Sequence, residues 1–247
     1  MEPILKVEGV TKRFGGLVAV SEVSLAVAEG EVRSVIGTNG AGKTTLFNLL
    51  TGYSRCDSGK VFLDGKNITP LSAPDIVRRG IARTFQRTNI FANITVEENI
   101  LIPLLRKHGH SSDAVTPSRR LYRDKIAALL ESVALSGLGR RTAGALSHGH
   151  QRCLELAIAL ANDPRVLLLD EPAAGMSVSE CSRMMELIKN INRERGLTIL
   201  LTEHDMNLVF SLSERITVMH LGAVIAEGTT EEIQADEQVQ QVYLGET

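Results

Sequence analysis

The sequence predicts an α/β fold, with a mixed and mainly parallel core sheet, an antiparallel β flank and a helical subdomain. An apolar run at 32–36 leads into the glycine-rich stretch 37–44, after which Leu46, Leu49 and Leu50 follow at helical spacing. A second apolar run, 166–169, has the continuous pattern of a parallel strand buried on both faces. Between about 95 and 162, apolar residues recur three and four positions apart, which is typical of helices.

The antiparallel flank is predicted from the first part of the chain. Residues 4–10 and 23–27 have the pattern of half-exposed strands, and residues 61–63 precede an Asp64-Gly65 turn. Residues 81–85 form a further predicted strand that ends at Gln86.

The predicted elements after residue 170 complete the α/β pattern. They are a helix at about 179–195, a strand at 198–202, a helix after Asp205, and short strands near 216–219 and 224–226. We therefore expect one domain over 1–247, with a core at about 1–89 and 163–247 and the helical subdomain at about 90–162.

Composition excludes several classes of protein. The 247 residues are 43% hydrophobic and carry a formal net charge of -2, which argues against disorder and against a polybasic surface for nucleic acid. The three cysteines form no CxxC pair, so a disulfide framework or zinc site is not expected, and a reducing cytosol fits best. No window reaches the ~18 consecutive apolar residues of a membrane span, so we expect any membrane role to come through a partner.

The stretch 37–44 matches the phosphate-binding pattern G-x-x-x-x-G-K-[ST] between a predicted strand and a predicted helix. Its backbone amides would surround a nucleotide phosphate chain at the positive end of the helix. Lys43 would reach the β- and γ-phosphates, and the Thr44 hydroxyl would bind Mg²⁺. The expected ATP-binding residues here are Gly37, Asn39, Gly40, Ala41, Gly42, Lys43, Thr44 and Thr45.

A second acidic element is required, because the magnesium ion must be held from the other side and a water must be aimed at the γ-phosphate. The run ending in Asp170-Glu171 supplies both groups. Asp170, at the predicted strand end, suits the metal. Glu171 suits a general base.

The motifs and their order resemble those of the ATP-binding subunits of ABC transporters over nearly the whole chain. In sequence order they are Phe14 in TKRFGG, the phosphate-binding stretch, Gln86 in RTFQ, the signature at 147–151, Asp170-Glu171 and His204 in TEHD. The resemblance implies an ATPase in which Phe14 stacks on adenine, Gln86 contacts Mg²⁺ or the attacking water, and His204 contacts the γ-phosphate. Glu171, His204 and Gln86 are then the catalytic residues, and Thr44, Gln86 and Asp170 the metal-binding ones.

The resemblance also implies that Ser147 and the Gly149 amide close over the nucleotide of a neighbouring subunit. The chain has one phosphate loop and one signature, so a second ATP-binding subunit, identical or related, would complete two sites. Ser147 is in addition a candidate N-cap for the helix that follows. The chain departs from the common family pattern at four positions, which are Thr38, His148, His150 and Ser177.

Six short stretches resemble those of the ATP-binding subunits of branched-chain amino-acid importers. They are RTFQ, ITVEENI, TPSRR, EPAAG, EHDM and the VYLGE tail. The alternatives are the ATPase of a urea or amide importer, the ATPase of a lipopolysaccharide exporter, and a soluble ABC-type mechanical ATPase. The importer interpretation implies transmembrane permeases, an external solute-binding protein, and a peripheral location on the cytoplasmic face of the inner or plasma membrane. Nucleic acid is not expected as a partner.

Overall fold

Two β-sheets organise the part of the chain that the computed structural model describes, residues 2–86, 89–107 and 121–244. The first is antiparallel and has the strand order β2-β1-β4-β5. Its strands are β1 (Leu5–Phe14), β2 (Leu17–Val27), β4 (Ser58–Leu63) and β5 (Lys66–Asn67). It confirms the predicted antiparallel flank, with longer strands than the sequence pattern indicated.

The second sheet has the order β10-β9-β3-β8-β7-β6, and all neighbours in it are parallel except the β9–β10 edge pair. The strands are β3 (Val32–Ile36), β6 (Ile81–Arg83), β7 (Val166–Asp170), β8 (Thr198–Thr202), β9 (Arg215–His220) and β10 (Ala223–Gly228). A parallel sheet with one antiparallel edge confirms the predicted mixed α/β fold class.

Nine α-helices and a short 3₁₀ helix (Ala143–Ala145) lie among the described residues. The α-helices are α1 (Lys43–Leu50), α2 (Ala73–Arg79), α3 (Val96–Lys107), α4 (Arg123–Ser132), α5 (His148–Leu160), α6 (Val178–Arg195), α7 (Met206–Leu212), α8 (Thr230–Ala235) and α9 (Glu237–Leu244). No helix within these residues is both long enough and apolar enough to cross a membrane.

The central strands are buried on both faces. Leu167 and Leu169 of β7 join a core with the helices between residues 96 and 195, whereas Leu168 joins the core of α1 and the antiparallel sheet. Successive side chains of a strand point to opposite faces of the sheet, so alternate residues of β7 pack against different layers. This is why β7 reads as a continuous apolar run rather than as an alternating one.

The predicted strand 81–85 is too long at its end, because β6 stops at Arg83. The Thr84 amide still donates to the Leu168 carbonyl, at 3.0 Å. The next two carbonyls, of Phe85 and Gln86, instead accept hydrogen bonds from the Arg152 side chain of α5. Phe85 and Gln86 are thus held by a side chain from another layer rather than by the β6–β7 ladder, and the local sequence pattern carries no sign of that contact.

Candidate active site

The predicted site residues lie at the carboxyl ends of parallel strands. The phosphate loop follows β3, Asp170 ends β7, and His204 comes two residues after β8, while Gln86 comes three residues after β6. The carboxyl ends of parallel strands meet at one edge of a sheet, where α/β proteins usually bind ligands. The topology thus brings together four segments that are far apart in the sequence.

The phosphate loop is shaped by close backbone approaches. Gly42 precedes α1 with φ 99°, and a Cβ added there would lie 2.4 Å from the Ala19 carbonyl oxygen. The Leu46 amide makes the helical bond to the Gly42 carbonyl, at 2.8 Å. Amides in the first turn before such a bond have no acceptor within their own helix, and they favour an anion at this end.

Lys43 points back over the loop. Its Nζ donates to the carbonyl oxygens of Gly37, at 2.5 Å, and Thr38, at 3.0 Å. Burial lowers the pKa of the Lys43 ammonium, and the nearby carboxylates of Glu171 and Asp170 oppose that shift. A partly desolvated cation in this position favours a bound polyphosphate.

Asp170 is held on both carboxylate oxygens. Oδ2 accepts a hydrogen bond from Arg83, at 2.7 Å, and Oδ1 accepts one from the Thr202 hydroxyl, at 2.8 Å. Asp170 and Thr202 are register partners on β7 and β8, which places their side chains on one face of the sheet. The carboxylate is therefore fixed in direction before any ligand arrives.

Arg83 was not among the residues predicted for the site. Its guanidinium also donates to the Asn48 side chain of α1, at 2.7 Å, and lies 5.5 Å and 5.0 Å from the ring centres of Phe47 and Phe85. It links the phosphate-loop helix to the acidic end of β7. One signal was available in the sequence, since a charge inside a predicted buried strand requires a partner.

Glu171 and Gln86 are in direct contact, with Gln86 Nε2 donating to Glu171 Oε2 at 2.9 Å. The Glu171 backbone has φ 49°, and its amide donates to the carbonyl and hydroxyl oxygens of Thr202. The structure thus joins two of the predicted catalytic residues.

The His204 side chain is 70% exposed, and its Nδ1 lies 3.9 Å from Oε2 of the buried Glu203. Glu203 also accepts the Ala173 amide, at 3.0 Å, so it links the segment after Glu171 to the segment that carries His204. Burial is the main cause that raises the pKa of Glu203. Sequence reasoning missed Glu203.

The remaining predicted residues, Phe14, Ser147 and Gly149, lie on other elements, at the end of β1 and at the start of α5. Phe14 ends β1 and is 54% exposed, with the Lys12 ammonium 5.5 Å from its ring centre. Ser147 caps α5 by accepting the His150 amide, at 3.3 Å, as expected for an N-cap. A Cβ added at Gly149 would meet Glu180 of α6 at 3.0 Å.

The departure at Ser177 has a local structural role. Ser177 is the N-cap of α6 and forms a capping box with Glu180, whose carboxylate accepts the Ser177 hydroxyl and amide at 2.7 Å and 3.0 Å. Such caps typically contribute about 1 kcal/mol to helix stability.

Comparisons with known sequences identify the family. The ABC transporter family model matches residues 20–174, and a branched-chain amino acid ATP-binding cassette transporter model matches residues 223–247. The chain is 43% identical to the high-affinity branched-chain amino acid transport ATP-binding protein BraF of Pseudomonas aeruginosa, over 99% of this chain and 98% of that protein. It is 38% identical to the lipopolysaccharide export system ATP-binding protein LptB of Haemophilus influenzae, over 98% of each.

Solved structures agree with this assignment. The ATP-binding cassette MJ1267 of an ABC transporter superposes with a TM-score of 0.88 at 32% identity, covering 98% of this chain and 99% of that one. The dimeric cassette MJ0796 superposes with a TM-score of 0.78 at 27% identity, covering 92% and 98%. These matches confirm the resemblance that the motifs indicated. The chain belongs to the ABC transporter family and is one of its nucleotide-binding, ATP-hydrolysing subunits.

Proposed function

We propose that this subunit powers the uptake of branched-chain amino acids. The observation that carries this assignment of cargo is the match of residues 223–247 to the branched-chain amino acid cassette model, a region outside the phosphate-binding motifs. The higher identity to BraF than to LptB supports it. The ATP site itself carries no information about cargo, because all such subunits bind the phosphates and adenine of the same nucleotide.

In the proposed reaction, water attacks the γ-phosphorus and ADP leaves with the bridging oxygen. Glu171 takes the proton from that water, and Gln86, 2.9 Å from the Glu171 carboxylate, orients it. Lys43 and the amides of the phosphate loop offset the charge of the phosphates. His204 contacts the γ-phosphate from the end of β8, and Phe14 stacks on the adenine ring.

The residues expected to hold Mg²⁺ fit that ion by donor type, since Thr44, Gln86 and Asp170 supply oxygen ligands of the kind it prefers. Both Asp170 oxygens already accept one hydrogen bond, from Arg83 and Thr202, so this carboxylate suits contact through a water better than a direct bond. When bound, Mg²⁺ would neutralise charge on the β- and γ-phosphates.

We further propose that two such subunits act together, with Ser147 and the Gly149 amide of each closing over the nucleotide of the other. The exposure of Ser147 and the dimeric relative MJ0796 support this arrangement. Residues 90–162 would form the helical subdomain, which carries these residues, and residues 1–89 and 163–247 the core.

Contact with the permeases is proposed at the segment around Phe91, which gives the subunit its peripheral place at the membrane. The Phe91 side chain is 60% exposed, while its backbone amide and carbonyl are both bonded by the buried Asn99 side chain, at 2.8 Å and 3.0 Å. A cavity of about 1000 Å³ is lined in part by residues that follow in the chain, which are Thr95, Glu97 and Leu101. A rigid backbone with an exposed aromatic ring suits a short permease helix as partner.

The test of cargo is made in the source organism, by deleting the gene and measuring uptake of labelled leucine, isoleucine and valine. We expect uptake to fall and to be restored by the wild-type gene but not by a Lys43→Ala gene. Unchanged uptake of these amino acids, with loss of urea or amide uptake or of lipopolysaccharide export, would overturn the assignment.

The test of permease contact is co-purification of the Phe91→Asp chain with the permeases. We expect this variant to bind ATP but to lose the permeases, whereas Leu121→Asp, which changes a residue 68% exposed outside the segment, retains them. A folded Phe91→Asp chain that co-purifies normally would place the contact elsewhere.

The solute-binding protein is proposed from the importer assignment alone.

A further inference from the structure

An ion pair on α5 lies beside the segment that carries Gln86. Arg152 and Glu155 are one turn apart, 2.9 Å from each other, and only 7% and 5% exposed. A buried ion pair contributes little to stability on balance, because desolvation offsets much of the attraction. The pair therefore needs an explanation other than packing of the helix.

The contacts of this pair supply one. Arg152 donates to the Phe85 carbonyl at 2.9 Å and to the Gln86 carbonyl at 2.5 Å. Glu155 Oε1 accepts the Asn89 amide at 2.5 Å. Three charge-assisted hydrogen bonds to backbone groups thus bracket Gln86 on both sides, and such bonds are about twice as strong as neutral ones.

The helix that carries the pair also carries the signature. α5 begins directly after Ser147 and includes Gly149, and Arg152 follows less than one turn later. An α-helix is stiff over such a distance, so a displacement of the Gln86 backbone is passed to the signature end of α5 rather than absorbed between them.

We propose that Arg152 and Glu155 are positioning residues that fix the Gln86 backbone to α5, so that Gln86 and the residues Ser147 and Gly149 move as one unit. The proposal rests on the proposed role of Gln86 in orienting the attacking water. It predicts that weakening the pair displaces the Gln86 amide from its productive position and slows hydrolysis, while leaving the binding of ADP intact. A misplacement of about 1 Å in such a group is enough to cost up to ~100-fold in rate.

The experiment is a double-mutant cycle on the purified full-length chain, with kcat for ATP hydrolysis and the Kd of ADP as readouts. Arg152→Lys keeps the charge but loses the two-pronged contact with the Phe85 and Gln86 carbonyls. We expect a fall in kcat of about tenfold or more, with the Kd of ADP within about twofold of wild type. In a Gln86→Ala background the same substitution should cause no further fall in kcat.

The matched control is Arg78→Lys, which makes the same change in an exposed pair with Asp75 at the same three-residue spacing. It should leave kcat and binding unchanged. An equal fall in kcat from Arg152→Lys with and without Gln86 would show a general structural role and overturn the proposal. If Gln86→Ala by itself leaves kcat unchanged, the proposed role of Gln86 fails instead.

A second variant gives a readout that does not depend on catalysis or on the tolerance of position 152. Glu155→Gln retains the size of the side chain and an oxygen for the Asn89 amide, but it removes the charge that pairs with Arg152. We expect faster hydrogen exchange at the Asn89 amide and in residues 84–86, without a change in the exchange of β7. Wild-type exchange in both places would overturn the proposal.

Discussion

Replacing Arg83 with leucine removes the cation that holds Asp170 and leaves that carboxylate buried. Both side chains are nearly inaccessible, at 4% and 5% exposure, and their contact is 2.7 Å. The substitution also removes the hydrogen bond from Arg83 to Asn48 and the cation–π contacts of its guanidinium with the Phe47 and Phe85 rings. The Thr202 hydroxyl is then the only one of the described side chains still donating to Asp170.

Removing one member of a buried ion pair typically costs about 3–5 kcal/mol, because the remaining charge has no partner. For a chain of this length, each kcal/mol lowers Tm by roughly 2–4 °C. The expected fall in Tm is therefore about 6–20 °C. In Arg83→Leu/Asp170→Leu, where neither charge remains, most of this loss should be recovered, since apolar replacement of a whole pair is often neutral.

The assay is thermal and urea unfolding without nucleotide and with EDTA, so that no ligand contributes. Arg165→Leu is the matched control, because Arg165 also forms two ion pairs, with Glu29 and Asp64, but at 42% exposure. Exposed pairs contribute about 0–1 kcal/mol each, so the loss of both pairs in this control should lower Tm by less than about 8 °C. A loss of stability in Arg83→Leu no larger than in Arg165→Leu would show that removing Arg83 does not leave Asp170 as an uncompensated buried charge.

Three further outcomes follow from the same structure. Gly42→Ala should destabilise the chain more than Gly137→Ala in urea unfolding. Both sites have positive φ, but only at Gly42 does the new Cβ meet a backbone oxygen, that of Ala19, at 2.4 Å. Equal losses of stability would contradict this. Burial raises the pKa of Glu203 in the folded state, so its contribution to stability is full below the unfolded pKa of about 4.3 and is lost as pH rises through the folded value. Between pH 4 and 8, the free energy of unfolding of wild type should therefore fall relative to that of Glu203→Gln as pH rises. Parallel curves would show that the pKa of Glu203 does not change on folding. Burial also raises the pKa of the Cys153 thiol to about 11, so at pH 8 only about one thiol in 1000 is the reactive thiolate. Iodoacetamide should therefore label Cys153 far more slowly in the native chain than in urea.

Much of the fold follows from local patterns in the sequence. The β3 strand, the glycine-rich loop and α1 adjoin one another, so the phosphate loop is visible as one continuous stretch. The continuous apolar run of β7 indicates a strand buried on both faces, and Asp170 and Glu171 stand at its end. These features are predictable because the residues that form each of them are neighbours in the chain.

The contacts between layers were not predictable in the same way. Arg83 and Asp170 are 87 positions apart, and Arg152 lies 66 positions after Gln86. The predicted strand was two residues too long, because the residues after β6 are bonded by Arg152 of another layer rather than paired with β7. A buried charge signals that a partner exists, but the identity of that partner depends on how the sheet orders its strands.

The role of Glu171 as general base is tested most directly by Glu171→Gln, measured for both ATP hydrolysis and ATP binding. Glutamine keeps the shape of the side chain but cannot take a proton, and loss of a positioned base costs ~10²- to 10⁴-fold in rate. We expect hydrolysis to be reduced by at least about 100-fold, with the Kd of ATP within a few-fold of wild type. A Glu171→Gln chain that hydrolyses ATP at more than half the wild-type rate would contradict the assignment of Glu171 as the base.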